Sequence, residues 1–552
     1  MRINHLFLLS PLIFIFSFLH AQNLSSDFPP EALLQRIRPE GLRAHMEFLA
    51  DDLLEGRGTG TRGFQLAADY IRAQFEEMGL RPAGKTGSYF QNVRFRKIEL
   101  QRSDSSFTLR HNGTARALII DQDYAMLGDP LSTDTTAEAP VVFVGYGVTA
   151  PAFNYDDYAG IDARGKIVAA LYGAPPNFPS APGAHYSSSE QKLKVAAEHG
   201  AIGFLSIWAG KPEKRTPFPE FVRFWRTPAL RWLDEKGVPN DAEPRIRGFA
   251  WISSNTASMM FDGAAKSWKD VMRSAEDGHV ETFPLQVTVA LHIVSRHSQV
   301  ESPNIAAILP GSDPQLKNQY VVFTAHADHL GMGDPLNGDS IYNGAADNAS
   351  GTAALLEMAR AFSQLPNSPR RSLLFLAVTG EEEGLLGSDY YAHHPTVPMS
   401  QIVANINMDE VSFLYDFKDI VPLGGEHSSL GAVADDVARH MNLQVSPDPL
   451  PEEVYFVRSD QYSFIKQGVP ALYIEEGVKT VDPKLNGEKM QLDWESSHYH
   501  RPNDDMSQPL DFNAMVKCTR VDLAVGYEIA QQTERPHWNA GDFFEKLPSM
   551  KP

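Results

Sequence analysis

The second half of the chain alternates apolar strands with amphipathic helices. "QYVVFTAH" and "RSLLFLAVTG" have the length and apolar content of buried strands, whereas "SGTAALLEMARAFSQL" and "SLGAVADDVARHMNL" repeat apolar residues at helical spacing. Such alternation is typical of a mostly parallel sheet covered by helices on both faces. We therefore predict an α/β fold with a mostly parallel mixed sheet, flanked by helices, from about residue 285 onward.

The front of the chain contributes helices and then strands. "PEGLRAHMEFLADDL" and "GFQLAADYIRAQFEEMGL" have helical periodicity, and "NVRFRKIELQ" and "SFTLRH" alternate polar and apolar residues as strands do. The loop between the two helices, "EGRGTGTRG", is rich in glycine. It lacks the preceding strand and the Gly-Lys-Ser/Thr ending of a phosphate-binding P-loop, so we do not assign it that role.

The pattern changes at about residue 137. "APVVFVGYGVTA" predicts a strand, and "QKLKVAAEHGAIGFLSIW" predicts a helix followed by another strand. A chain of 552 residues exceeds what one core usually serves. We predict a compact α+β unit over residues 137–280, inserted between an N-terminal part of the main domain (22–136) and its larger part (281–552).

Charge and cysteine content exclude several classes of partner and site. The formal net charge is −20 and the isoelectric point is near 5.3, which argues against nucleic acid as a partner. The single cysteine, Cys518, rules out an intramolecular disulfide and a thiolate metal cluster. Since it lies in a segment with an apolar helical stripe, we expect a buried core residue.

The first 21 residues predict a signal peptide. Arg2 precedes an apolar run from Leu6 to Leu19, which is too short to span a bilayer comfortably and suits a secretory signal. We expect cleavage after Ala21 and export to a periplasm or to the outside of the cell, with no stable membrane insertion afterwards. Leu19 is not the small residue preferred at the −3 position, so a retained anchor stays open.

Histidine and acidic residues follow the ends of the predicted strands. Imidazole and carboxylate groups are ligands that suit Zn²⁺ and its neighbours. Each of these residues alone also fits a helix cap or a solvated turn. Together they favour a metal site, because strand ends meet at one sheet edge and adjacent glutamates repel one another without a cation. The residues are His326, Asp328, Asp347, Glu381, Glu382, Glu383, Asp409, His498 and His500.

Five motifs in this region resemble those of M28-family zinc peptidases, in the same order. The resemblance spans about residues 290–510 and extends weakly to residues 48–71. It implies a zinc exopeptidase fold. The 137–280 unit resembles a protease-associated (PA) domain inserted into such peptidases, through "GYGV" and "AAEHGAIGF". The five motifs are "AHADHLG", "NGAADNASG", "TGEEEGLLGS", "NMDE" and "YHRPND".

The resemblance implies two Zn²⁺ ions per chain, with Co²⁺ or Mn²⁺ as possible replacements. His326 and Asp409 would bind one ion, Glu382 and His500 the other, and Asp347 would bridge them. Two such ions can activate a water molecule and hold the carbonyl oxygen of a substrate.

The resemblance also implies catalytic roles. Glu381 would be the general base, Tyr499 would donate a hydrogen bond to the oxyanion, and Asp328 would hold His326 in the required tautomer. The Asp347-Asn348 peptide bond would be cis, as in relatives.

Three nearby residues lie outside the implied catalytic and ligand sets. His329 receives no role. His498 competes with His500 as a ligand, and the "YHRPND" context favours His500. Asp460 lies in a stretch that resembles one near the family's substrate pocket, and we do not assign it a catalytic role.

We predict an exopeptidase, with an aminopeptidase acting on peptides with a free N-terminus as the leading hypothesis. A zinc carboxypeptidase or dipeptidase is the alternative, and it would need arginines such as Arg458 and Arg501 in the pocket. A non-catalytic receptor-like protein is disfavoured because every ligand position and the base position are filled. The complete two-metal set also disfavours a one-zinc glutaminyl cyclase. The sequence makes no prediction of the oligomeric state.

Overall fold

One strand, Phe283–Leu309, runs through both large sheets of the described part of the molecule. The computed structural model describes residues 27–451 and 453–547, so the predicted signal peptide lies outside the described residues. The first half of this strand pairs with Ser106–His111 and Asp134–Phe143, and the second half pairs with Phe90–Leu100. The apolar segments "LQVTVALHIV" and "NIAAILPG" predict two separate strands here. They are one strand because residues 295–305 pair with Phe90–Leu100 without a break.

The main sheet is mostly parallel, as predicted. Four parallel strands lie side by side in the order Ser372–Val378, Tyr320–His326, Ile402–Asn407 and Ala471–Glu476. Antiparallel strands complete the two sides, since residues 305–309 pair with the first of these four and Asp419–Leu423 pairs with the last. This arrangement confirms the predicted mixed α/β sheet.

Helices cover the main sheet on both faces, because side chains of each parallel strand point alternately to either side. Val321 and Phe323 belong to the larger core, and Val322 belongs to a smaller core on the opposite face. Cys518 is buried in the larger core, as predicted. The helices that pack on the larger core are Pro39–Leu49, Arg62–Glu77, Gly351–Ser363, Leu430–His440 and Phe512–Gln531. Opposite them lie Leu386–His393 and Gln461–Ile465.

A second sheet has a hydrophobic core of its own, which includes Phe143, Ile207 and Val289. The residues predicted as an inserted unit, 137–280, lie within this part of the molecule, which also includes the hairpin at 106–117. Its similarity to a PA domain stays a prediction. Its strands are Ser106–His111, Thr114–Ala117, Tyr124–Ala125, Asp134–Phe143, Ile167–Leu171, Gly203–Trp208 and Phe249–Ser253. Its helices are Ser180–Ser187, Ser189–Glu198, Lys211–Arg215, Phe218–Phe224, Ser254–Met260 and Trp268–Glu276.

Shorter elements complete the fold. In the part of the chain that the structure describes, no helix combines the length and the apolar character needed to cross a bilayer. The remaining helices are Glu31–Leu34, Gly487–Ser497 and Phe543–Lys546. The remaining strands are Arg81–Pro82, Thr149–Ala150, Tyr155–Asp156, Ala229–Trp232, Gly331–Leu336, Asp339–Tyr342 and Gln444–Val445.

Candidate metal centre

The candidate site lies at the carboxyl ends of three neighbouring parallel strands. His326 is the last residue of Tyr320–His326, Glu381 follows Ser372–Val378, and Asp409 follows Ile402–Asn407. Because these strands are adjacent and run in one direction, their ends meet at one edge of the sheet.

The predicted ligands form two groups that share one aspartate. His326 Nε2 lies 3.0 Å from Asp409 Oδ1 and 3.3 Å from Asp347 Oδ1. His500 Nε2 lies 3.2 Å from Asp347 Oδ2 and 3.1 Å from Glu382 Oε2. The two carboxylate oxygens of Asp347 therefore face different histidines, which is the arrangement that a bridging ligand requires.

Of the other two histidines near these motifs, one faces the site and the other does not. His329 is fully buried, and its Nδ1 lies 2.6 Å from Glu382 Oε1 and 3.7 Å from Asp347 Oδ2. His498 instead contacts Ser497 Oγ at 2.8 Å. Sequence reasoning gave His329 no role, although its position three residues after His326 in the same turn was a signal.

The residues present fit zinc. In the described part of the chain, the buried atoms Nδ1 and Nε2 of His329 and Oε1 of Glu382 make no hydrogen bond. Buried polar atoms are normally paired, and a cation held between His329 Nδ1 and Glu382 Oε1 would account for those two atoms. Three imidazoles and three carboxylates also form a nitrogen and oxygen donor set that suits zinc, and they require positive charge to offset their mutual repulsion.

The pKa values of His500 and Glu382 depend on the charges of the residues around them. Burial lowers the pKa of His500, but the carboxylates of Glu382 and Asp347 outweigh it and raise that pKa to about 10. Burial and Asp347 raise the pKa of Glu382, yet His500 and His329 outweigh them and the pKa falls to about 2. A metal ion that binds here must therefore displace protons from imidazole groups.

Asp328 supports the site in a different way from the predicted one. His326 Nδ1 lies 3.1 Å from the main-chain oxygen of Asp328 and 4.0 Å from its carboxylate, because the chain turns sharply after the strand. The carboxylate instead accepts hydrogen bonds from the main-chain N–H groups of Glu381 and Glu382, at 3.3 and 3.4 Å, and from the Thr59 hydroxyl. It therefore holds the segment that carries the predicted base.

Two residues that sequence reasoning left without a role also hold the ligands. Asp504 accepts hydrogen bonds from the main-chain N–H groups of Ala346 and Asp347, at 2.9 and 3.1 Å. Ser459 Oγ donates to Asp409 Oδ2 at 2.7 Å. Such outer contacts fix the orientation of a metal ligand.

The glycine-rich loop near the front of the chain supports the site through Arg57. This side chain is buried, and it donates hydrogen bonds to the main-chain oxygens of Ala327, Asn343 and Gly344, at 3.0, 2.6 and 2.9 Å. Burial lowers the Arg57 pKa to about 10, which leaves it charged at neutral pH. Arg57 thus joins the loop that contains His329 to the loop that precedes Asp347.

A cavity adjoins the predicted ligands. The Tyr499 ring stacks on the His500 ring, with 3.8 Å between centroids. The Asp347-Asn348 peptide bond is cis, as predicted. The cavity is lined by Asp347, Glu381, Asp409, Glu410, Tyr455, Arg458, Ser459, Tyr473, Glu495 and Tyr499.

An α/β sheet that brings imidazole and carboxylate groups together at its carboxyl edge is typical of a metal-dependent hydrolase. Residues 304–526 match the sequence model of peptidase family M28. The segment that carries the predicted ligands therefore matches peptidase family M28, as the motifs predicted.

Curated relatives match over part of their length. A probable zinc metalloprotease of Pyrenophora teres f. teres is 34% identical over 166 residues, covering 29% of this chain and 33% of the relative. A probable leucine aminopeptidase of Arthroderma otae is 27% identical over 247 residues, covering 42% of this chain and 58% of the relative. The chain thus spans between one third and three fifths of the length of these two relatives.

A solved structure has a similar fold. The aminopeptidase from Aneurinibacillus sp. strain AM-1 aligns with a TM-score of 0.51 at 18% identity, covering 92% of this chain and 96% of the other. This similarity supports the α/β architecture of the chain.

Proposed function

We propose that this protein is an exported aminopeptidase that uses two zinc ions to hydrolyse the first peptide bond of peptides with a free N-terminus. The observation that carries the proposal is the acidic cavity beside the shared-aspartate ligand groups. Its walls include Glu410 and Glu495, together with the predicted base Glu381 and the predicted ligands Asp347 and Asp409.

Glu381 and Tyr499 have different roles in the proposed hydrolysis. Bound zinc ions would lower the pKa of a water molecule and polarise the scissile carbonyl group. The Glu381 carboxylate, whose Oε2 lies 4.0 Å from His326 Nε2, would take a proton from the attacking water and pass it to the leaving amine. The Tyr499 hydroxyl, on the cavity wall, donates a hydrogen bond to the oxygen that gains negative charge.

Glu410 supports recognition of a substrate ammonium group. Its Oε1 is buried beside the cavity and makes no hydrogen bond to any described residue. Its main-chain N–H donates to Asn348 Oδ1 at 3.2 Å, which fixes the residue next to the ligand Asp409. A carboxylate held in this way is suited to an N-terminal ammonium group, because a buried charge needs a partner of opposite sign.

The carboxypeptidase alternative has less support. Recognition of a C-terminal carboxylate requires a guanidinium group that is free to pair with it. Arg458 reaches the cavity, but its Nη1 already pairs with Glu453 Oε2 at 3.0 Å.

Two blocked dipeptides test the direction of cleavage. We expect hydrolysis of a C-amidated dipeptide with a free amine, and none of an N-acetylated dipeptide with a free carboxylate. Cleavage of the acetylated substrate alone would contradict the aminopeptidase proposal.

The Glu410→Gln variant tests the ammonium contact. We expect KM for free-amine substrates to rise about tenfold or more while the zinc content is unchanged, because one charge-assisted contact contributes about 1.5–3 kcal/mol. Glu47→Gln is the matched control, since the Glu47 side chain is 58% exposed on the surface. An unchanged KM in Glu410→Gln would remove this residue from the substrate site.

The part of the molecule that contains residues 137–280 is proposed to be a PA-like inserted domain that limits substrate length. Its Arg215 forms an ion pair with Glu453, and Glu453 in turn contacts the cavity residue Arg458. Insertions that border a cleft commonly shape it.

A further inference from the structure

We propose that His329 is a fourth protein ligand of the ion held by Asp347, Glu382 and His500. The proposal rests on the two-zinc function above and adds a residue to it. The His329 nitrogen and the carboxylate oxygens of Asp347 and Glu382 all lie within 4.8 Å of one another, and the three residues are buried or nearly so.

The orientation of the His329 ring toward Glu382 distinguishes metal ligation from a hydrogen bond. His329 Nδ1 lies 2.6 Å from Glu382 Oε1, yet neither atom makes a hydrogen bond within the described residues. At this distance a hydrogen bond fails only when the ring nitrogen is not aimed at the oxygen. Donor atoms that share an ion have this geometry, because each is aimed at the ion and not at its neighbour.

The backbone around His329 is built to hold the ring in place. Its main-chain N–H donates to the Arg57 oxygen at 3.3 Å. Gly344, with φ +62°, lies directly against the ring, and a Cβ at this position would come within 2.5 Å of His329 Cγ. Only glycine leaves the required space here, and Arg57 binds the Gly344 oxygen at 2.9 Å.

With His329 as a ligand, the two ions of the centre have different numbers of protein ligands. The group of His329, Asp347, Glu382 and His500 offers four protein donors, whereas the other group, with His326 and Asp409, offers three including the shared aspartate. Four protein donors saturate a tetrahedral zinc ion, and three leave a position open. The exchangeable position of the centre therefore belongs to the ion beside His326, and the ion beside His329 is retained more tightly.

Cobalt binding to His329→Cys tests the assignment in the full-length protein. A cysteine sulfur can replace Nδ1, because its shorter side chain is partly offset by a longer bond to the metal, about 2.3 Å against about 2.0–2.1 Å. A thiolate bound to Co²⁺ gives an intense near-ultraviolet charge-transfer band. The wild-type chain has one buried cysteine, Cys518, so this band has no background.

In His329→Cys, we expect the full intensity of the band to correspond to one Co²⁺–thiolate bond per chain. It should be absent in the wild-type protein and in the control His498→Cys. We also expect His329→Ala to lose at least tenfold in affinity for one of its two ions. A His329→Cys protein that binds two Co²⁺ without the band would overturn the proposal.

X-ray absorption by zinc in the wild-type protein gives a second test that does not depend on variants. We expect three imidazole ligands per two zinc ions, from His326, His329 and His500; two imidazoles would overturn the proposal. Wild-type protein that binds fewer than two ions would contradict the two-zinc function itself, whereas two ions with only two imidazoles would remove His329 alone.

Discussion

At the scale of single residues, the carboxylate of the predicted ligand Asp409 has a second contact that fixes its orientation. Asp409 uses one oxygen toward His326, and the other accepts a hydrogen bond from Ser459 at 2.7 Å. Ser459 in turn accepts a hydrogen bond from Asn407 Nδ2 at 2.9 Å. A chain of this kind limits the positions that the carboxylate can take before any metal binds.

Glu381→Gln tests the predicted base. The amide has the same shape as the carboxylate but cannot accept the proton of the attacking water, so we expect kcat to fall about 10²–10⁴-fold. The zinc content should stay at the wild-type value, because Glu381 is outside both ligand groups. Metal analysis alongside kcat checks this, and a variant that keeps near-normal turnover would exclude Glu381 as the base.

At the scale of elements, the helix Arg62–Glu77 anchors the glycine-rich loop that carries Arg57. Thr61 precedes this helix, and its Oγ1 accepts a hydrogen bond from the Phe64 N–H at 3.3 Å and donates one to the Gly58 oxygen at 2.6 Å. One side chain thus caps the helix and closes the loop.

We expect Thr61→Ala to lower the free energy of unfolding by about 1 kcal/mol, because an N–H at the helix start and the Gly58 oxygen lose their partner. Thr61→Ser keeps the hydroxyl and should recover most of the loss. Chemical denaturation of the three proteins measures the difference. Equal losses in both variants would show that the methyl group, and not the cap, stabilises this helix.

At the scale of the whole molecule, residues within the 137–280 segment make polar contacts with the rest of the chain. Trp232 Nε1 donates to Asp389 Oδ2 at 2.9 Å, and the His185 ring bonds the Tyr462 hydroxyl. These contacts hold the segment against the rest of the chain.

His185 makes this interface sensitive to acid. Burial, with help from Lys466, lowers the His185 pKa from 6.5 to about 4. Below pH 6.5, His185 binds a proton in the unfolded chain but stays neutral in the folded protein. The contribution of neutral His185 to the free energy of unfolding is therefore complete above pH 6.5 and is lost as the pH falls toward 4.

The loss amounts to about 3 kcal/mol at most. We expect the thermal midpoint of the wild-type protein to fall more steeply between pH 6.5 and 4 than that of His185→Gln, which cannot titrate. Parallel curves for the two proteins would contradict the assignment.

Arg215→Ser tests whether the second part of the molecule limits substrate length. Without the ion pair to Glu453, the edge of the cavity near Arg458 is held less firmly. We expect kcat/KM for peptides of about ten residues to rise severalfold relative to dipeptides. The neighbouring exposed residue gives the control, Lys214→Ser, and an unchanged ratio in Arg215→Ser would count against the proposal.

Sequence reasoning alone predicted the order of strands and helices, the mixed parallel sheet and the motifs of the M28 domain. It also predicted that His326, Asp347, Glu382, Asp409 and His500 lie together. The elements and the sheet follow from periodicity, and the clustering of polar residues follows from the ends of the strands. The choice of these five residues follows from the resemblance to the M28 motifs.

Only the tertiary structure decided what Asp328 and His329 contact in the turn after the strand Tyr320–His326. His329 faces Glu382 and Asp347, and Asp328 uses its main-chain oxygen for His326. Arg57 joins loops that lie 270 and 286 positions further along the chain. Contacts of this kind depend on where distant loops converge and on the space that a glycine leaves between them, and no local pattern in the sequence records either.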